Sequence, residues 1–445
     1  MFNLKKTAVS AVSLMTAMTL GTGLLTANAA GAPLSSEAAV YELKSYLTAQ
    51  ITEFPAGEYD RSVYYEQEGN DQLDVVDLTL LKRLMFEPES SETSEPETSE
   101  SVTSGSETSE PETSESETSE SETSEPKIPD SETPFAKHGK LSVNGPDLVD
   151  KNGEKYQLYG MSTHGIAWYP GYVSQDTFRT LRDDWNTNCV RIAMYTSETN
   201  GYGIATEYKR EELKNLVKNG VDYATQLGMY VIIDWHILNE NMGQSNNGDP
   251  HKYKAESIAF FDELSELYKD RDNVLYEICN EPNGSAINWD TVKSYANEVI
   301  PVIRENDSDA IVLVGSPTWS QDIDKAQQSP LQFDNIMYTL HFYAGTHGDY
   351  LRNRLESCVS SGLPVFVSEF AICDSSGNGV NDTASGQQWM DLMNKYNVSY
   401  MAWNLGNKNE SSCAFKSAVY SDWSDDVMSE WGLWIREQFR SEQNQ

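Results

Sequence analysis

Three glutamates stand where strand-like runs give way to polar residues. Glu277 and Glu281 lie in LYEICNEPNG, residues 275–284, and Glu369 lies near the end of VFVSEF, residues 365–370. Two facing carboxyl groups can cleave an acetal: one protonates the leaving oxygen while the other attacks the carbon or activates a water. Spacing decides which glutamates can pair. Double displacement needs carboxyls about 5–5.5 Å apart, and single displacement through water about 6.5–9.5 Å. Four residues along a strand, at about 3.3 Å each, separate the backbones of Glu277 and Glu281 by roughly 13 Å. They are therefore not the pair, and Glu369 becomes the partner of Glu281 if the two runs end at one mouth. Glu277 shares the period-2 face of Glu281 but lies deeper. It is predicted to be an internal structural carboxylate, paired with a base such as Arg191.

Such a mouth requires a particular architecture. From residue 135 onward, short apolar runs alternate with amphipathic, charged segments. The runs are QLYGMSTHG, CVRIAMY, YVIIDWH, VLYEICNE, AIVLVGS, IMYTLHFYAG, VFVSEF and SYMAWNL, with helical patterns such as KREELKNLVKNGVDYATQLG between them. Eight such units predict an α/β fold, a (β/α)8 TIM barrel over 135–445. A doubly wound open sheet is the alternative, but no Gly-rich phosphate loop follows the first run. Seven of the eight runs carry polar or aromatic residues at or near their ends: His164, Arg191, His236, Asn280 with Glu281, His341 with Tyr343, Glu369, and Trp403. In a barrel these ends meet at the face where active sites sit. Stability alone does not explain the clustering, because unpaired buried polar groups are costly. Asn280 and Glu281 are neighbours and would face opposite sides of an ideal strand. Pro282 ends the ladder and permits a local bulge, which makes Asn280 a candidate to bind substrate hydroxyls.

The rest of the chain sets the context. The formal charge of the 445 residues is −37, which argues against a nucleic-acid partner. Fourteen glutamates fall between Glu87 and Glu125 without a Lys or Arg. Residues 87–126 repeat SETSEPETSE with variations, have almost nothing to bury and repel themselves, so 87–134 is predicted to form a disordered acidic linker. Residues 1–29 combine Lys5 and Lys6, an apolar run and the small-residue site Ala27-Asn28-Ala29. This pattern predicts a secretory signal peptide and an extracellular protein. A membrane anchor is the rival reading, but no later stretch approaches the roughly 20 apolar residues of a spanning helix. Residues 30–86 read as a small helical segment. The cysteines number five, show no metal spacing, and include Cys189 and Cys279 within strand-like runs, where they read as small buried hydrophobes.

Taken in order, MSTHGIAWYP, VRIAMYTS, YVIIDWHIL, YEICNEPNG, TLHFYAGTHG, VFVSEF and WNLGNKNESS resemble glycoside hydrolase family 5, in particular its bacterial endo-β-1,4-glucanases. The resemblance implies retaining hydrolysis of a β-glucan polysaccharide, with Glu281 as acid/base and Glu369 as nucleophile. It also implies a supporting shell of Arg191, His236, Asn280, His341, Tyr343 and Trp403, and no metal or organic cofactor for catalysis. The pKa of Glu281 is then expected to be raised by the neighbouring Glu369 carboxylate. Phe370-Ala371 departs from the Trp-Gly usual in the family, while CDSSGNG, with Ser375 and Ser376, resembles its substrate loop. Trp168, Tyr169 and Trp403 are candidates to stack on pyranose faces rather than to fill the core. Lys408, Asn409 and Glu410 are expected against sugar hydroxyls, and His164, Tyr195 and His347 complete the candidate binding set. Mannanases and xylanases of the same family use the same glutamate pair, and a non-catalytic carbohydrate-binding protein is the rival from another class. In the N-terminal segment, DLTLLKRLM resembles the helix of a dockerin repeat. That resemblance places Glu66, Glu68, Asn70, Asp74 and Asp77 at calcium-ligating positions and implies a scaffold protein as partner. It departs from the family at Asp71, where glycine is usual, and in having one loop rather than two. A monomer is expected, with neither nucleic acid nor membrane as partner.

Overall fold

The computed structural model describes residues 130–240, 247–416 and 420–442. The candidate signal peptide, the N-terminal segment with its candidate calcium ligands, and the linker up to residue 129 lie outside them. The last residues assigned to the linker are ordered. Asp130–Glu132 form a 3-10 turn, and the Thr133 hydroxyl caps a short helix, α1 (Pro134–His138), with Pro134 at its start. A side-chain cap followed by proline pre-sets a helical turn whatever the composition upstream.

A hairpin of β1 (Ser142–Asn144) and β2 (Asp147–Val149) precedes the main body. Eight parallel strands then close on themselves: β3 (Tyr159–Thr163), β4 (Cys189–Tyr195), β5 (Tyr230–His236), β6 (Val274–Glu277), β7 (Ile311–Val314), β8 (Ile336–Tyr343), β9 (Val365–Ala371) and β10 (Tyr400–Leu405). The main crossover helices are α2 (Gln175–Asp183), α3 (Glu207–Gln226), α4 (Lys254–Tyr268), α5 (Trp289–Asn306), α6 (Ile323–Gln328), α7 (Asp349–Ser360) and α8 (Thr383–Lys395), and α9 (Glu430–Ser441) follows the last strand. This is the (β/α)8 barrel that the eight apolar runs predict.

Period-2 alternation sorts the strand residues into an outward set and an inward set. Outward side chains such as Ile192, Ile233, Tyr276, Val312 and Leu340 join the large core beneath the helices. Near the strand starts the inward positions are apolar: Cys189, Ile232, Leu275, Leu313, Met337, Phe366 and Met401 pack with Leu141 and Leu148 and fill that end of the barrel. Two residues further along the same strands the inward set becomes Arg191, Asp234, Glu277, Thr339, Ser368 and Trp403, all buried. A polar tier thus rests on an apolar floor.

Two irregularities aim the chain at the mouth. Along β9 the register slips: Thr339 and His341 of β8 pair with Phe366 and Glu369, so three residues advance against two. The same slip recurs against β10, where Tyr400 and Ala402 pair with Val367 and Phe370. The bulge lets the adjacent Ser368 and Glu369 both make contacts inside the barrel. Beyond β6 the ladder changes partner. Ile278 N–H donates to Leu313 O, whereas Asn280 and Glu281 both donate back toward β5, to Trp235 O within it and Ile237 O just past it. Two successive N–H groups facing one neighbour break the alternation, so both side chains turn inward as the Pro282 boundary allows. Gly315 makes room for this segment, since a Cβ there would meet Cys279 O at 2.2 Å and the Pro282 ring at 2.7 Å. Gly315→Ala therefore has to displace backbone. It should cost about 1–3 kcal/mol of stability, read as a lowered melting temperature in thermal unfolding.

Candidate active site

The strand ends surround a cleft of about 680 Å3, within the range of ligand sites in general. Of the sequence candidates, His164, Trp168, Tyr195, His236, Glu281, His341, Tyr343, His347, Glu369, Ser375, Ser376, Trp403, Lys408 and Glu410 line it. At its floor, one ligand atom each of Glu281, His341 and Glu369 lie within 4.8 Å of one another. By distance alone this trio could hold a metal ion, but both ring nitrogens of His341 and one oxygen of each glutamate are already engaged. His341 Nδ1 faces Glu281 Oε1 at 2.9 Å, and the Tyr343 hydroxyl donates to Glu369 Oε1 at 2.7 Å. The set suits proton transfer and carboxylate attack better than metal binding.

Beneath the floor lies one fully buried guanidinium. Arg191 Nε donates to Glu277 Oε2 at 2.7 Å, Nη2 reaches Asn280 Oδ1 at 2.6 Å and Asp234 Oδ2 at 2.9 Å, and Nη1 meets Ser162 Oγ at 3.2 Å. Nη1 also lies 3.6 Å from Glu369 Oε2, an oxygen with no hydrogen-bond partner. Burial opposes the charge of Arg191, but Asp234, Glu277 and Glu369 more than offset it and hold the group cationic, above its ordinary range. The structural ion pair expected between Glu277 and Arg191 is present, and Glu277 stays below the cleft.

Two branches leave this cation. On one side Asp234 Oδ2 contacts His236 Nδ1 at 2.6 Å, and the His236 ring stacks on Trp403 with centroids 5.1 Å apart. On the other, Glu277 Oε1 accepts from Ser368 Oγ at 2.7 Å, and Ser368 Oγ lies 2.9 Å from His341 Nε2. Burial lowers His341 to about 4 and pushes His236 well below its ordinary value, so both rings are neutral. Burial also raises Glu281 to about 8, with Asp234 and Glu277 adding to the shift and Arg191 opposing it. Glu369 is raised to about 7, by burial first and the facing Glu281 second. The direction for Glu281 agrees with the sequence expectation, but the leading cause is the dry floor rather than the other carboxylate.

Three candidates fall elsewhere. Asn280 is fully buried and accepts from Arg191, while its amide donates to Ile237 O at 3.1 Å and faces His236 Nε2 at 3.3 Å. It aligns the floor instead of reaching into the cleft. Tyr169 is half-buried outside the lining, with its ring 5.0 Å from that of His164. Asn409 is exposed between Lys408 and Glu410, which pair with each other, and stays outside the lining. Of the two remaining platform candidates, Trp168 is half-buried in the wall with its indole N–H on Thr199 O, and Trp403 shows 5% of its surface at the floor.

The structure adds residues that the sequence reading missed. Asp234 was legible, since it stands two positions before His236 on one face of a strand. Glu198, with burial raising it to about 7, joins the wall. The strand end with no candidate, after β7, contributes Thr318, Trp319 and Gln321 to the lining. There Thr318, Trp319 and Ser320 adopt left-handed φ of 60°, 53° and 53°, a turn that non-glycine residues seldom announce.

Residues 149–409 match the family model described as Cellulase (glycosyl hydrolase family 5). The chain is similar to Endoglucanase A of Butyrivibrio fibrisolvens, 48% identical over 304 residues that cover 68% of this chain and 68% of that one. An endoglucanase of Clostridium saccharobutylicum is 44% identical over 301 residues, 67% of this chain and 64% of that one. The matches thus span about two thirds of these relatives' own length. Among solved structures, the catalytic domain of Thermobifida fusca endoglucanase Cel5A aligns with a TM-score of 0.64 at 36% identity, over 69% of this chain and 99% of that domain. The cellulase Cel5C_n aligns with a TM-score of 0.66 at 42% identity, over 70% of this chain and 94% of that one.

The raised carboxyls make stability depend on pH. Glu281 at about 8, Glu369 at about 7 and Asp234, raised by burial to about 7, hold their protons more tightly folded than unfolded, where carboxyls titrate near about 4. Between these limits the unfolded chain has released protons that the fold retains. Their contribution is therefore greatest on the acid side and is lost as pH rises. Glu281→Gln cannot ionise, so it should raise the melting temperature by several degrees more at pH 8 than at pH 5. Calorimetry at both pH values checks this, and an equal effect at both contradicts it.

Proposed function

The chain belongs to the cellulases of glycosyl hydrolase family 5 and its barrel is an endoglucanase domain; from that premise we propose that it hydrolyses internal β-1,4-glucosidic bonds of cellulose or a related β-glucan by double displacement with retention, outside the cell. One observation supports the mechanism: an oxygen of Glu281 and an oxygen of Glu369 lie within 4.8 Å of each other, close enough for the two carboxyls to act on one glucosidic bond as acid/base and nucleophile. Glu369, with Tyr343 donating to one oxygen and Arg191 near the other, is the nucleophile that attacks the anomeric carbon. Glu281, raised by burial to about 8, gives its proton to the departing glucosidic oxygen. Once Glu369 is esterified its charge is gone, and Glu281 takes a proton from the water that releases the sugar. The chemistry of this family needs no cofactor. Neutral His164, Trp168 and Trp403 offer sugar-binding surface in the cleft, and Lys408, Glu410, Ser375 and Ser376 offer hydrogen bonds. The proposal of secretion rests on the character of residues 1–29.

Reducing-sugar release from carboxymethylcellulose, barley glucan, mannan and xylan tests the substrate, with activity expected on the two glucans. Glu281→Gln should lower turnover by about 10²–10⁴-fold, and Glu369→Gln should abolish it. The alkaline limb of kcat/KM should follow the loss of the Glu281 proton near about 8. The anomer first released from a cellooligosaccharide, read by proton NMR, should be β. An α product rejects retention, and binding to cellulose without sugar release rejects the enzyme.

A further inference from the structure

The donors and acceptors beneath the cleft determine where the protons are. Glu277 is fully buried and receives two donors, Arg191 Nε–H on Oε2 and Ser368 Oγ–H on Oε1, each at 2.7 Å. Arg191 is permanently charged, so Glu277 serves as its counter-ion and only accepts. A serine hydroxyl has a single proton. With that proton committed to Glu277, Ser368 Oγ can only accept at its other contact, His341 Nε2, 2.9 Å away. His341 therefore carries its hydrogen on Nε2, and its neutral ring leaves Nδ1 as a bare lone pair. That lone pair faces Glu281 Oε1 at 2.9 Å, a hydrogen bond only when Glu281 supplies the proton.

We infer that Ser368 is a positioning residue: by donating to Glu277 and accepting from His341 it locks His341 in the Nε2–H tautomer, and so keeps Glu281 loaded with the proton it delivers. The inference rests on the reading of Glu281 as acid/base and extends it to the device that loads it. The same lock serves the second half of the reaction. After delivery the Glu281 carboxylate meets the same lone pair and gains no donor from His341, which keeps it basic enough to take a proton from water. Without the hydroxyl, Glu277 Oε1 lies 3.9 Å from Nε2, too far to replace the acceptor. The imidazole is then free to carry its hydrogen on Nδ1 and donate to Glu281, favouring the carboxylate. Arg191, Asp234, Glu277, Glu369, Tyr195 and Tyr343 also act on Glu281. They are common to the wild type and a Ser368 variant, so a comparison of the two isolates the tautomer.

The test reads the His341 ring directly, by long-range nitrogen–proton NMR of uniformly 15N-labelled protein at pH 6 without substrate. The signal is assigned by its loss in His341→Gln. The wild type should show the Nε2–H tautomer. Ser368→Ala should show the Nδ1–H form populated, and the alkaline limb of its kcat/KM should move down by about one pH unit. An Nδ1–H tautomer in the wild type overturns the inference, because it requires a neutral Glu277 and a reversed chain of donors. A folded Ser368→Ala protein with the wild-type tautomer and limb overturns it too. If Ser368→Ala does not fold, the wild-type tautomer decides alone. The activity of Glu281→Gln tests the underlying reading separately, since the tautomer is read without turnover.

Discussion

One permanent positive charge, Arg191, sits at the centre of the barrel without access to water. A guanidinium cannot shed its proton as a buried lysine can, so the fold must surround it with acceptors or lose several kcal/mol. It does so with Glu277, Asp234, Asn280 and Ser162, drawn from β6, β5, the segment after β6, and β3. Each acceptor then fixes a residue of the cleft. Asp234 orients His236 and the Trp403 ring stacked on it, Asn280 aligns the segment after β6 that carries Glu281, and Glu277 leads through Ser368 to His341. The reacting glutamates are held by groups whose own positions are dictated by the need to neutralise one cation.

The neutralisation is overdone. Asp234, Glu277, Glu281 and Glu369 crowd one arginine, and all are buried. Four negative charges against one positive would be prohibitive in so dry a place, so the tier beyond the Glu277–Arg191 pair keeps protons that exposed carboxyls would have lost. Burial leads the upward shift for each of the four. A barrel stabilised by apolar packing outside and below can carry this strained polar tier. The apolar floor of Cys189, Ile232, Leu275 and their neighbours keeps water from entering beneath.

Strand arithmetic makes much of this legible in the sequence alone. The distance along a strand excluded Glu277 as the partner of Glu281, and the period-2 face predicted its pairing with Arg191. The eight strands were marked by their apolar runs. What stayed hidden depends on backbone departures that residue types do not encode. Ser368 is adjacent to Glu369, so ideal pleating sends one of them outward; only the bulge in β9 puts both inside. Trp319 reaches the cleft through a left-handed turn of residues that rarely make one. Tyr169 and Asn409 fall outside the lining for a related reason. Each sits beside residues that do line the cleft, and sequence adjacency at a loop says little about which side chain turns inward.

The bulge also explains how β9 tolerates Phe370-Ala371 where the resembled family usually has Trp-Gly. After two inward residues the alternation resumes with Phe370 facing out, buried against Phe342 at 5.0 Å, Trp431 at 5.7 Å and Tyr400 at 5.8 Å. The change of aromatic therefore falls in the packing between barrel and helices, on the far side of the strand from Glu369. Ala371 continues the ladder, pairing with Tyr343 and accepting from Ala344 N–H at 2.9 Å. Tyr343 is the residue that donates to Glu369, so the strand pair that carries the substituted residues also holds donor and acceptor in register. What the site requires here is a large ring anchored outside the bulge and an unbroken ladder beyond it. Phenylalanine and alanine supply both, which is why a departure next to the nucleophile leaves its geometry intact.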